Sequence, residues 1–266
     1  MRDITLGQYI NGDSVIHRLD PRVRLILTLA YIVILFMFNT LLQMVLALVM
    51  ILLAYALVKI PVKMLLKSLK PIIPIILFTS VLNMFFIKGD VVFSFWKIAV
   101  TKQGLYYAAM MSLRVICLLA GSSLLTYTST PIQLTSALES LFKPLSKLGL
   151  PVNDLAMMMT IALRFIPTLL EETDKIMAAQ KSRGANLDTG NFIQRAKALT
   201  PILIPLFVSA FRRADELALA MECRCYNGGE GRTRLNALKI RRLDYIAVAV
   251  FTVCCVLLFM AGRLAV

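Results

Sequence analysis

The chain has 266 residues, 59% of them hydrophobic, and a mean hydropathy of +0.77. A soluble domain cannot hide that much apolar surface, so the solvent for most of this chain is lipid. Basic residues outnumber acidic ones 29 to 15; in a membrane protein that excess reports cytoplasmic loops beside anionic lipid, and no nucleic-acid partner is expected.

Residues 1–24 form a polar arm. Arg2, Asp3, Asp13, Arg18, Asp20 and Arg22 leave it no apolar core, so it is no cleavable signal peptide. Asp20 and Pro21 fit the N-cap and first position of a helix. From Leu25 to Val58 the chain is apolar except near Asn39, Thr40 and Gln43. One helix over that run would be about 51 Å long against a hydrocarbon core of roughly 30 Å, so two spans with a tight turn at Asn39 are expected. A third span covers 71–87, with Pro71 near its first position and Pro74 in its first turn. A fourth runs from Gly104 to Tyr127, and a fifth covers 245–260. The expected architecture is all-α: four transmembrane helices in 25–130, a cytosolic set of long amphipathic helices in 131–243, and a fifth span with a short C-terminus in 244–266.

Basic residues set the orientation. Arg2, Arg18, Arg22 and Arg24 lie in the arm and Lys59, Lys63, Lys67 and Lys70 in the second loop, while the turn between the first two spans has none. The N-terminus is therefore expected in the cytosol. Lys88, Lys97 and Lys102 then fall outside, against the trend.

The segment 131–243 reads as helix broken by Pro131, Pro144, Pro151 and Gly190. Val152, Leu155, Met159, Ala162, Ile166, Leu169 and Ile176 recur at helical spacing, as do Phe192, Ala196, Leu199, Leu203, Leu206 and Ala210, with bends at Pro201 and Pro205. Mutual packing of two amphipathic helices accounts for the stripes but not for their breadth. Met157, Met158, Leu163, Phe165 and Leu170 widen the first; Leu217, Leu219 and Met221 enlarge the second. Such surplus apolar surface marks lipid or a partner.

Catalytic machinery is sparse. His17 is the sole histidine and lies in the arm. The phrase "GGEGRT" lacks the lysine of a phosphate-cradling loop and reads as a link. Glu171, Glu172 and Asp174 fit local pairing with Lys175 and Arg164. Cys117, Cys254 and Cys255 sit in apolar runs, and Cys223 with Cys225 lacks further metal ligands nearby, so no metal site is expected. Arg114, inside the fourth span, needs a partner: a helix carbonyl or Asp90.

Two arginines stand out. Arg183 lies between Ser182 and Gly184, and Arg224 between Cys223 and Cys225, each at the predicted end of a long helix. A cation there gains about 0.3–1 kcal/mol from the helix dipole, which explains a cap. Small neighbours also leave the guanidinium protruding, and its planar fork suits a carboxylate on a partner. Capping and docking both remain open on these residues alone.

The phrases "HRLDPRVRL", "ALRFIPTLLEETDKIMAAQKSRG" and "RRADELALAMECRCY" resemble the Leu-Asp-Pro-Arg signature and the two coupling helices of the transmembrane T component of energy-coupling factor (ECF) transporters, the modular prokaryotic importers of vitamins and metal ions. In that family each coupling helix ends in X-Arg-X, often Ala-Arg-Gly. The second motif here, Cys-Arg-Cys, departs in both flanks. The resemblance implies a multi-pass protein of the prokaryotic cell membrane with no catalysis of its own. It implies that Ser182, Arg183, Gly184, Cys223, Arg224 and Cys225 dock two ABC-type ATPases, which would hold ATP and Mg while this chain binds no cofactor directly. It further implies that the apolar helix faces, with Met157, Met158, Leu219 and Met221, cradle a small substrate-binding membrane subunit (S component). An integral-membrane enzyme acting on lipid would need converging polar residues at one depth, where only Arg114 lies. A self-contained channel or secondary carrier would need paired broken helices or a charged pore, and neither is evident.

Overall fold

The computed structural model describes residues 9–87, 90–95, 98–149, 151–185, 192–228 and 238–264. Expectations for Arg2, Asp3, Lys88, Lys97, Gly190 and most of the glycine-rich link fall outside these residues. The chain divides into two compact units, Met1–Ala137 with Asn236–Val266, and Leu138–Leu235.

The first unit begins with the arm. His17 Nε2 donates to the Ile10 carbonyl at 3.0 Å and Nδ1 accepts from Ser14 Oγ at 2.7 Å, so the lone histidine ties the arm to itself. Helix α1 (Pro21–Met37) starts as the sequence expects: Pro21 takes the first position and the Asp20 carboxylate accepts the Arg22 amide at 2.9 Å. It ends at Phe38, and α2 (Leu41–Val58) begins after a break of three residues, placing the turn at Asn39. The Gln43 side chain closes that turn by accepting the amides of Asn39 and Thr40.

The second loop is not a loop. Val62–Leu69 forms a short helix, α3, followed after a 62° bend by α4 (Ile73–Phe86). Pro71 lies in the bend, and Pro74 sits in the first turn of α4, where its missing N–H costs nothing. A short antiparallel hairpin, β1 (Val91–Phe95) with β2 (Ile98–Thr101), leads into α5 (Lys102–Thr128). Helix α9 (Arg242–Leu264) completes the unit. The architecture is all-α apart from this hairpin. Among the described residues, α2, α5, α7 and α9 are long and apolar enough to cross a membrane, and α3 with α4 makes a fifth candidate if the bent pair is one span; α1 is an apolar helix of 17 residues.

Helix α5 lies against α1, α2 and α4. Gly121 lets the Tyr31 ring approach so closely that a Cβ there would stand 2.7 Å from it. The Tyr55 hydroxyl donates to the Ala120 carbonyl at 3.1 Å, and Leu35, Met44, Ala47 and Cys117 are fully buried around these contacts. Polar bonds fix the helix ends at two levels. At one level the Asp244 carboxylate accepts the Asp20 amide at 2.7 Å and the Arg241 amide at 2.6 Å, Arg24 donates to the Thr128 carbonyl, and Ser68 meets the Tyr127 hydroxyl at 2.5 Å. At the other, Gln43 Nε2 donates to Leu258 and the Leu41 amide to the Tyr106 hydroxyl. Arg114 belongs there too: its Nη2 donates to the Phe38 carbonyl at 2.6 Å, at the C-terminal end of α1. Of the two partners open to it, the helix carbonyl is the one used.

The second unit contains the end of α6 (Pro131–Phe142), a 3-10 turn at Lys143–Leu148, and two long helices, α7 (Val152–Ser182) and α8 (Phe192–Glu222).

Candidate functional site

Helices α7 and α8 pack as an antiparallel pair, shown by partners that run in opposite directions. Gln180 meets Pro201, Glu172 meets Ser209 and Arg213, and Asp154 lies 3.5 Å from the Tyr226 hydroxyl. The Gln180 bond follows from the spacing of two prolines. Pro205 has no N–H, so it cannot bond the Pro201 carbonyl four residues back, and Gln180 Nε2 donates to that carbonyl at 3.3 Å. Glu172 accepts from Ser209 Oγ at 2.5 Å and from Arg213 Nη2 at 2.6 Å. Its strong partner therefore lies on the facing helix, rather than one turn away on its own helix as the sequence expects. Local periodicity does not register a residue on another helix.

Both arginine phrases end their helices with the same backbone figure. After α7, the Gly184 amide donates to the Lys181 carbonyl and the Ala185 amide to Gln180, each at 3.0 Å. After α8, the Cys225 amide donates to Glu222 at 2.8 Å and the Tyr226 amide to Met221 at 3.1 Å. This is the Schellman closure, with Arg183 and Arg224 at the identical last position and the next residue left-handed. Gly184 has φ +85 and Cys225 φ +55. Glycine adopts that conformation freely, whereas a residue with a Cβ is strained there by roughly 1–2 kcal/mol. The second motif thus keeps the backbone geometry of the first despite lacking its glycine.

Every bond in these closures is made by backbone atoms, so neither guanidinium is needed to end its helix. Both arginines are exposed, and neither guanidinium makes a hydrogen bond or ion pair with a described residue. Their flanking residues Ser182, Gly184, Cys223 and Cys225 are exposed as well. Because Tyr226 lies level with Asp154 near the start of α7, the two arginines stand at opposite ends of the pair, roughly 40 Å apart at 1.5 Å per residue.

The apolar residues singled out in the sequence divide. Met158 and Leu219 are exposed, at 53% and 62%, whereas Met157 and Met221 are half-buried. On α8, Ser209 and Arg213 mark the side facing α7. Ile204, Phe207 and Phe211 point the other way and remain exposed, Phe211 at 67%. Leu199 and Leu203, which the periodicity assigns to the same stripe as Leu206, are exposed too. Sequence reasoning passes over Ile204, Phe207 and Phe211; they share one face at i, i+3 and i+7, but only the bonds from Ser209 and Arg213 show that this face points away from α7.

Residues 12–235 match the model of the CbiQ family, described as cobalt transport protein. The chain is 51% identical over 253 residues to the energy-coupling factor transporter transmembrane protein EcfT of Ruminiclostridium cellulolyticum, covering 95% of each. It is 53% identical over 249 residues to the protein of that name from Clostridium kluyveri, covering 93% of this chain and 92% of the relative. The Bacillus subtilis EcfT is 44% identical over 260 residues, with 97% and 98% covered.

Proposed function

The chain belongs to the CbiQ family, among the transmembrane T components of ECF transporters, and from that premise we propose that it is the coupling scaffold between two ABC-type ATPases and a small substrate-binding subunit. The observation that carries this reading is the pair of exposed arginines, presented by the same helix-end geometry at opposite ends of α7 and α8. Two sites about 40 Å apart suit two separate sockets rather than one. A guanidinium offers a carboxylate a bidentate contact, and the small flanking residues let a groove close around it.

On this reading ATP and Mg stay on the ATPases, and this chain holds no cofactor. Nucleotide-driven closure of the ATPases shifts the ends of α7 and α8. The exposed faces, with Met158 and Leu219 and the outward row of α8, carry the substrate subunit and reorient it. Specificity for a vitamin or other micronutrient resides on that subunit, so this chain needs no substrate site. Helices α7 and α8 lie at the cytosolic face, because Arg164, Glu171, Glu172, Asp174 and Lys175 are costly in hydrocarbon.

The orientation rests on charge. The level that holds the start of α1 also holds Arg18, Arg22, Arg24, Lys59, Lys63, Lys67, Lys70, Arg241 and Arg242, while the opposite level has Lys102, Arg114 and Arg263 among the described residues. The first level, with the N-terminal arm, is cytosolic. A cysteine introduced at Ser14 is then shielded from an impermeant thiol reagent in intact cells, and labelling there contradicts the orientation.

Arg183→Glu and Arg224→Glu test the docking. As caps alone, each change costs on the order of 1–2 kcal/mol of helix-dipole energy and the complex survives. As plugs in acidic sockets, each sets carboxylate against carboxylate at a cost of several kcal/mol. Each single variant then loses most transport-coupled ATPase activity, and the double variant releases the ATPases from purified complexes because two linked contacts fail together. Full retention of the ATPases and of uptake in the double variant refutes the docking role.

A further inference from the structure

We infer that α3 is a binding site for the headgroups of anionic phospholipids. The helix is only eight residues long, about 12 Å, and cannot itself cross a bilayer. One side is fastened inward: Leu65 is buried, and Ser68 Oγ lies 2.5 Å from the Tyr127 hydroxyl on α5. The opposite side carries Lys63, Lys67 and Lys70 at i, i+4 and i+7, one exposed row of three ammonium groups. A fourth lysine, Lys59, is exposed at the left-handed end of α2, just ahead of the row.

Among the described residues, no ion pair neutralises these charges. The sequence contains no acidic residue between Asp20 and Asp90, and none of the four lysines makes an ion pair with a described residue. An uncompensated row of this kind calls for an anion. The apolar residues beside it identify the source. Met64 and Leu66 are exposed on the two flanks of the lysine row, and after the 62° bend α4 exposes Ile73, Ile75, Leu77 and Phe78. A basic row bordered by apolar side chains, and followed in the chain by an apolar helix of a multi-pass membrane protein, fits the boundary between acyl chains and phosphates. The lysine stems lie along the apolar border while their ammonium groups reach the phosphodiesters. A small soluble anion would leave Met64 and Leu66 in water, whereas a lipid covers them with its acyl chains.

This inference is independent of the arginine docking and can fail without it. The test places the full-length protein in nanodiscs of mixed phosphatidylcholine and phosphatidylglycerol and measures, by native mass spectrometry, which lipid it retains. The wild type is expected to retain phosphatidylglycerol preferentially and to lose it as ionic strength rises. Each lysine near an anionic surface contributes roughly a five-fold preference, so Lys63→Gln, Lys67→Gln and Lys70→Gln together reduce the enrichment on the order of a hundred-fold. The corresponding triple arginine variant keeps the charge and the enrichment. Unchanged enrichment in the glutamine variant, or salt-insensitive retention in the wild type, overturns the inference. So does a glutamine variant that keeps its lipid in the nanodisc but, purified from cells with its partner subunits, loses one of them, since the row would then be a protein contact.

Discussion

The two left-handed residues that follow the arginines respond oppositely to exchange of their side chains. At Gly184 a Cβ meets nothing within 4 Å, so Gly184→Ala introduces backbone strain with no clash to obscure it. With φ at +85 the cost is about 1–2 kcal/mol, which competes directly with the closing bonds from Gly184 and Ala185. The last turn of α7 frays and Arg183 loses its fixed position. If that strain is borne in the docked state, affinity for the ATPase pair falls about ten-fold, the equivalent of 1.4 kcal/mol. Cys225 already carries a penalty of this kind at φ +55. Cys225→Gly relieves about 1 kcal/mol of it, tightens the end of α8 and leaves docking at least as strong. Hydrogen exchange at the amides of Gly184, Ala185, Cys225 and Tyr226 reads the two helix ends, and titration with the purified ATPases reads docking. Wild-type protection and affinity in Gly184→Ala, or faster exchange in Cys225→Gly, refutes the idea that the left-handed cap positions the arginine.

Two further outcomes follow from contacts elsewhere in the fold. Arg114→Met leaves the Phe38 carbonyl without its donor at the end of α1 and is expected to cost about 1–3 kcal/mol, seen as a lower melting temperature in detergent, with partial recovery in Arg114→Lys. Phe207→Asp with Phe211→Asp places charge on the exposed face of α8 and is expected to release the substrate subunit while the ATPases stay attached; loss of folding, or retention of every subunit, counts against that face as a membrane-partner surface.

The membrane-spanning part of the fold was legible because long apolar runs leave few alternatives, and because Asn39, Asp20 and Pro21 carry recognisable turn and cap chemistry. Helix α3 was not. Pro61 and Pro71 fence it, and its lysines give it the look of a loop, although Val62, Leu65, Leu66 and Leu69 keep helical spacing. The hairpin at 91–101 is too short for periodicity to separate from its surroundings. Asp244 joins the starts of α1 and α9 by accepting an amide 224 positions away, a contact no local pattern contains. On α8 the run "ILIPLFVSAF" is apolar almost all round, so spacing could not decide which residues face α7; the bonds from Ser209 and Arg213 decide it. The arginine phrases were found in the sequence, but their equivalence lies in backbone geometry, since Cys225 stands left-handed where a glycine would announce the turn.

That equivalence removes the opposition between cap and plug. The backbone closes each helix, so the side chain is released for another use while the closure sets where it points. The same separation extends along the pair. Gln180 with Pro201 fixes the region near Arg183, Glu172 with Ser209 and Arg213 fixes the middle, and the approach of Tyr226 to Asp154 fixes the region near Arg224. Three polar contacts at three levels resist sliding of one helix along the other, because sliding breaks all of them together. A change of crossing angle disturbs mainly the outer two. On the proposed reading, ATPases drawing on Arg183 and Arg224 therefore alter the angle between α7 and α8 more readily than their register. The outward row of Ile204, Phe207 and Phe211 then turns with α8, and a subunit seated on it tilts rather than slides.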